Sequence, residues 1–89
     1  MRYAKVDKNQ GVIVDALRKA GFSVKSTASI GDGFPDLICA KGSQCWLLEV
    51  KMEKGKLTPD QVKFMQDWKG EVYIVRTQED ALKIVGVLG

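Results

Sequence analysis

The chain has 89 residues, 45% apolar and 28% charged, with 14 basic against 11 acidic side chains, a net charge of +3 and no histidine. A chain this long buries roughly 60–65% of its unfolded surface, which implies one domain, and the composition is that of a globular protein and not a disordered or fibrous one. Without histidine, Ser-His and Cys-His nucleophile pairs and His-containing zinc sites are excluded, two cysteines cannot make a four-cysteine zinc site, and no apolar run reaches the ~18–20 residues of a membrane helix.

Met1-Arg2-Tyr3-Ala4-Lys5 leads into polar residues and not into a signal-peptide core, and Cys39 and Cys45 are too few for a disulfide-built fold, so a reducing cytosol is expected. Asp7 or Asn9 can cap a first helix running to about Ala20, with Val12, Ile13, Ala16, Leu17 and Ala20 at helical spacing and Gly21 as its stop. Residues 22–26 alternate as a short strand, and residues 28–34, with Gly31 and Gly33, form a loop. Strands follow over 35–41 and 44–51, joined at Gly42-Ser43, where glycine at the first turn position suits a type II′ hairpin. A charged loop over 52–57 precedes Thr58-Pro59-Asp60-Gln61, a helix opening with Thr at the N-cap, Pro at the first helical position and Gln at N3. That helix is expected to run to about Lys69, with Val62, Met65, Phe64 and Trp68 turned inward. Val72 to Val75 is expected as a buried strand. Thr77 opens a last helix offering Ala81, Leu82, Val85 and Leu88 for packing. The order α-β-β-β-α-β-α predicts a single α/β domain over residues 1–89, a mixed sheet flanked by helices.

With Gly42 and Ser43 as the two loop residues, Asp36 lies directly opposite Glu49, on one face and ~4.5–5.5 Å apart at Cβ. Strand alternation returns Lys51 to that face. Facing carboxylates destabilise a sheet unless a cation lies between them, and two of them cradle Mg²⁺ or Mn²⁺, which prefer oxygen ligands and keep waters for substrate. A metal there would polarise a phosphodiester and activate water, with Lys51 placing that water or countering negative charge in the transition state. The same register puts Cys39 and Cys45 on opposite sheet faces, against a disulfide, and both are expected as small core residues.

Each residue also has a plainer role. A Glu-Val-Lys triplet is a common surface alternation, and a one-residue slip would separate Asp36 from Glu49. Gln61 can serve the Thr58 capping box, Gln10 can be a solvated helical glutamine, and Asp32 a turn residue. Lys51, Lys54 and Lys56 can form a solvated loop or track a phosphate backbone. Trp46, Trp68 and Phe64 suit a core or an interface.

Gly33-Phe34-Pro35-Asp36, Leu47-Leu48-Glu49-Val50-Lys51 and Leu57-Thr58-Pro59-Asp60-Gln61 together resemble the PD-(D/E)xK nuclease superfamily, and their order and spacing resemble its virus-type replication-repair nuclease (VRR-NUC) domain. The resemblance spans the chain from the first helix to Arg76 and implies a restriction-endonuclease-like fold. It implies that Asp36 and Glu49 ligate metal with the Val50 carbonyl, that Lys51 is the catalytic lysine, and that Gln61 lies beside the site. Ser29, Lys54 and Lys56 are then nucleic-acid contacts. Gln10 falls where many members carry a glutamate on the first helix, and its neutral amide removes one charge there. The implied activity is Mg²⁺- or Mn²⁺-dependent endonuclease cleavage of branched DNA such as four-way (Holliday) junctions, without membrane or nucleotide cofactor. It would be carried out by a phage-like homodimer in the bacterial cytoplasm, and pairing also suits a chain with room for one site. The alternative is a catalytically inactive nucleic-acid-binding or assembly module that keeps the fold.

Overall fold

The computed structural model describes residues 8–88, in which α1 (Lys8–Lys19), β1 (Ser23–Ser26), β2 (Leu37–Lys41), β3 (Gln44–Val50), α2 (Pro59–Asp67), β4 (Tyr73–Val75) and α3 (Gln78–Ile84) follow in the expected order. The strands form one mixed sheet ordered β1-β2-β3-β4, antiparallel through the first three and parallel between β3 and β4. A parallel neighbour requires a crossover, and α2 lies in that connection. No helix among the described residues is long and apolar enough to cross a membrane.

Ile13 and Leu17, one turn apart on α1, are fully buried. The helix ends as its glycine predicts: Gly21 takes φ 95°, its N–H donates to the Arg18 carbonyl (3.0 Å), and the Phe22 N–H reaches back to Leu17 (3.0 Å). Those two bonds are the closure that a left-handed residue after a helix permits. Asp7 lies outside the described residues. Asn9 is inside α1 and Val12 is exposed, so the apolar stripe is narrower than the spacing suggested.

The core lies on one sheet face, where α1 and α3 pack Ile13, Leu17, Ala81 and Val85 against Val24, Leu37, Cys39, Leu48, Val50 and Val75. Cys39 belongs to it, and burial, with Cys45 nearby, pushes its thiol up to about 11. Cys45 does not belong to it. The register sends it to the other face, where it is an exposed free thiol.

That other face carries α2 and differs from the expectation. No α2 residue is buried, and Val62 and Trp68 are exposed. The helix has nine residues with Lys63, Gln66 and Asp67 among its apolar ones, so only a narrow strip meets the rest of the chain. Phe64 packs edge-on against Phe34 (ring centroids 5.2 Å) and stacks on Trp68 (5.1 Å). β4 is shorter than expected and is an edge strand: Val75 is buried by α3, while Ile74, on the opposite face, is exposed. Leu88 is exposed as well.

The two faces should respond differently to truncation. Leu48→Ala should cost about 2–5 kcal/mol, by transfer and cavity terms together. Val62→Ala should stay within about 0.5 kcal/mol, as for other exposed positions. Urea unfolding midpoints of the two variants check this.

Candidate functional site

The hairpin turn sets the site. Gly42 has φ 63° and Ser43 has no positive φ, as a type II′ turn requires, and the β2–β3 register runs from Lys41↔Gln44 to Leu37↔Leu48. In a two-residue hairpin the pair flanking the turn is hydrogen-bonded and alternate rungs follow suit, which makes Cys39–Trp46 and Leu37–Leu48 hydrogen-bonded rungs. Continued one step beyond the paired residues, this register sets Asp36 opposite Glu49 at a non-hydrogen-bonded position, where side chains approach most closely, and the Asp36 carboxyl does adjoin that of Glu49. The next hydrogen-bonded rung would join Val50 to Pro35, but proline has no N–H to donate.

The loose ends are retied by side chains. The Val50 N–H donates to Asp36 Oδ2 (2.8 Å), the Thr27 hydroxyl donates to the Pro35 carbonyl, and the Thr27 N–H donates to the Asp36 carbonyl (2.8 Å). Asp36 is thereby drawn across the hairpin toward Glu49. The Val50 carbonyl points to the same edge of the strand as its N–H and meets no donor at position 35.

Glu49 is the most buried charged side chain described, 1% exposed on a strand that also carries buried Leu47, Leu48 and Val50. Its Oε2 accepts from Gln61 Nε2 (2.9 Å) and lies 3.5 Å from Lys51 Nζ, and its Oε1 is buried without a partner. Burial pushes the Glu49 carboxyl up to about 7, reinforced by the adjoining Asp36 carboxyl and opposed by Lys51. A buried carboxylate oxygen with no donor is costly. A proton or a cation between Asp36 and Glu49 removes that cost.

Gln61 both completes the cap and contacts Glu49. Its Oε1 accepts the Thr58 N–H (2.9 Å) while the Thr58 hydroxyl accepts the Gln61 N–H (3.2 Å), completing the capping box, and its Nε2 is left free to hold Glu49. The glycine-rich loop delivers this helix end to the site. Gly33 has φ 78°, and a Cβ there would stand 2.2 Å from the Asp60 carbonyl oxygen and 2.9 Å from the Gln61 nitrogen, so only glycine fits. Asp32, also at positive φ (54°), is the turn residue that its neighbours suggested.

The strand end bearing Lys51 is held by residues that the sequence did not single out for this purpose. Asn9 Nδ2 donates to the Arg76 carbonyl (2.8 Å) and the Lys51 carbonyl (3.3 Å), so it staples β3 to β4 instead of capping α1. Arg76 Nη1 reaches the carbonyls of Met52 (2.5 Å), Gly55 (3.0 Å) and Glu53 (3.2 Å). Nothing in a lone arginine after an apolar strand announces such a clamp, because its acceptors are main-chain oxygens more than 20 residues away. Gln10, expected on a solvated face, is buried at 7% exposure. Lys54, Lys56 and Ser29 are exposed on their loops.

Asp36, Glu49, Lys51 and Gln61 thus come together. Among the described residues no three Asp, Glu, Cys or His side chains do, so a metal here would have two carboxylates, the Val50 carbonyl and water. That set suits Mg²⁺ or Mn²⁺, which accept few protein oxygens and retain waters, and the unpartnered Glu49 Oε1 fits such an ion. No family model, curated protein or solved structure matches the chain.

Glu49 should make stability depend on pH. Its folded value of about 7 lies above the ordinary 4.5, so between these limits the unfolded chain ionises first and binds fewer protons. Stability should therefore fall as pH rises from about 4.5 to about 7 and then level off. Glu49→Gln should flatten this slope and leave the variant more stable than the wild type at pH 8 in metal-free buffer, as read by thermal melts across pH. Gln61→Glu separates the two roles of Gln61. Glutamate at N3 keeps the capping acceptor but sets a carboxylate against Glu49. Melting temperature should drop more at pH 8 than at pH 5, and a carboxyl NMR titration should show the Glu49 value moving further up.

Proposed function

We propose that this chain is a divalent-metal-dependent endodeoxyribonuclease of the PD-(D/E)xK type, hydrolysing phosphodiester bonds in branched DNA as a homodimer. The observation that carries this is the Asp36–Glu49 rung: two carboxylates brought together by an interrupted ladder, one of them with a buried oxygen lacking a donor, and an ammonium 3.5 Å from that same carboxylate. With both carboxyls ionised, the one lysine beside Glu49 balances only one of the two charges, which leaves a place for a cation.

Asp36, Glu49 and the Val50 carbonyl would hold Mg²⁺ or Mn²⁺. When bound, such an ion polarises a phosphodiester and lowers the pKa of a coordinated water. The protein's own part is positional. The Val50 N–H fixes one Asp36 oxygen and the Gln61 amide one Glu49 oxygen, which orients the carboxyl groups before an ion arrives. The Lys51 side chain is 13% exposed, and its ammonium, beside Glu49, would meet the water or the phosphate oxygens on which charge builds as water oxygen bonds to phosphorus and the ester oxygen departs. Lys54 and Lys56, exposed on the following loop, offer non-sequence-specific contacts to neighbouring phosphates. One site cuts one strand, so a two-fold pair suits a symmetric, branched substrate.

Incubating the purified chain with four-way, flap and linear DNA in Mn²⁺ or Mg²⁺, with and without chelator, tests this. Cleavage should require the ion. Asp36→Ala and Lys51→Ala should each lower the rate at least about 100-fold while melting cooperatively, in the range seen when a charge-stabilising group is lost. A wild-type rate in either variant would sink the site assignment. Binding without cutting would favour a non-catalytic nucleic-acid module, for which the neutral, buried Gln10 is the supporting feature.

A further inference from the structure

Of the contacts around the site, the most unusual is made by Arg76, whose side chain turns back along the sheet to the segment following Lys51. Its main chain is held first. The Arg76 N–H donates to Asp80 Oδ2 (2.9 Å) in the first turn of α3, and its carbonyl accepts from Asn9 Nδ2 (2.8 Å), which also reaches the Lys51 carbonyl. The Lys51 N–H donates to the Val75 carbonyl (3.0 Å), so the residue before Arg76 is fastened to the lysine-bearing strand end. From this base Nη1 meets the carbonyls of Met52, Glu53 and Gly55, its two N–H bonds shared among three oxygens, while the Gly55 N–H closes the turn onto Met52 (2.9 Å). Lys54 sits within this turn and Lys56 immediately after it, both exposed.

We propose that Arg76 is the positioning residue of the DNA-binding edge: by gathering the carbonyls of Met52, Glu53 and Gly55 it presets the loop that presents Lys54 and Lys56 to the substrate phosphates. The proposal rests on the nuclease reading and extends it to how the substrate is held. A short charged loop around a glycine, left to itself, would be ordered only by the DNA and would lose conformational entropy on binding. A loop already tied down avoids that loss. Arginine suits the task because its donors lie in a rigid fork, which a lysine ammonium on a flexible stem does not reproduce. An Nη1 occupied by three carbonyls is also turned away from acting as a phosphate contact itself.

The test compares Arg76→Ala, Arg76→Lys, Lys54→Ala/Lys56→Ala and the triple variant Arg76→Ala/Lys54→Ala/Lys56→Ala on a four-way junction in Mg²⁺, reading kcat, KM, the salt dependence of KM and the melting temperature. Arg76→Ala should raise KM about 10-fold with kcat within about 3-fold, the pattern of lost binding without lost chemistry. Its KM should lose salt dependence about as Lys54→Ala/Lys56→Ala does, and the lysine changes should add little in the Arg76→Ala background, because the lysines are then already misplaced. Arg76→Lys keeps the charge without the fork and should behave like Arg76→Ala. Recovery of wild-type KM by Arg76→Lys would overturn the proposal in favour of a simple cation. Fully additive KM effects, or a fall in kcat and melting temperature with KM unchanged, would overturn it in favour of a general structural role. If Arg76→Ala fails to fold, Arg76→Gln, which keeps one donor nitrogen, carries the same comparison. A wild-type chain that cuts none of the DNAs sinks the nuclease reading itself, whereas active wild type with uncoupled lysines sinks this inference alone.

Discussion

Pro35 has no N–H to offer Val50 across the hairpin, and the ladder between β2 and β3 therefore stops before β3 does. The missing donor frees the Val50 carbonyl, and the Pro35 carbonyl, which would have accepted the Val50 N–H, accepts the Thr27 hydroxyl instead. The Val50 N–H turns to the carboxylate of the next residue, which pulls Asp36 across the strand gap, and the Val50 carbonyl is left without the ladder partner that another residue at position 35 would supply. Because Asp36–Glu49 is a non-hydrogen-bonded rung, the two acids meet where side chains are nearest. A tight turn at Gly42-Ser43, six residues after Asp36, sets which residues face each other there.

Bringing two acids together would unfold a small sheet if nothing balanced them, and the surroundings show how the cost is contained. Burial and Asp36 favour the proton on Glu49, while Lys51 and the Gln61 amide favour the charge. The result is a carboxyl poised near neutrality beside a partner acid, with one oxygen unfilled. Such a group can exchange a proton for a cation with little rearrangement, since its other oxygen is already held. Binding a proton and binding a cation would be two ways of meeting the same electrostatic demand.

Both ends of this arrangement are braced from elements distant in the chain. On one side the close approach of Gly33 to the α2 backbone sets Gln61 over Glu49. On the other, Asn9 from α1 and Arg76 after β4 tie down the strand end and loop that carry the lysines. α2 contributes no buried side chain and so adds little to the core. It serves mainly to carry Gln61 and the Phe64–Trp68 pair to the sheet face that α1 and α3 do not cover.

Local rules within the sequence determined most of the elements and the central register. Glycine after Leu17–Ala20, Gly-Ser between two strands, and Thr-Pro-Asp-Gln before an apolar run each specify a stop, a turn or a start through short-range bonds that involve no distant partner. The hairpin register, and with it the meeting of Asp36, Glu49 and Lys51, is likewise local, because a two-residue turn leaves one way to pair the strands. Tertiary structure decided what depends on which face is covered. Cys45, Val62, Trp68 and Ile74 are apolar in the sequence and exposed in the fold, because two helices cover one sheet face and a nine-residue helix only part of the other. Gln10 is polar and buried for the converse reason. The roles of Asn9 and Arg76 could not be read in advance at all: their partners are main-chain carbonyls, which every residue possesses, and only the parallel pairing of β3 with β4 brings those carbonyls within reach.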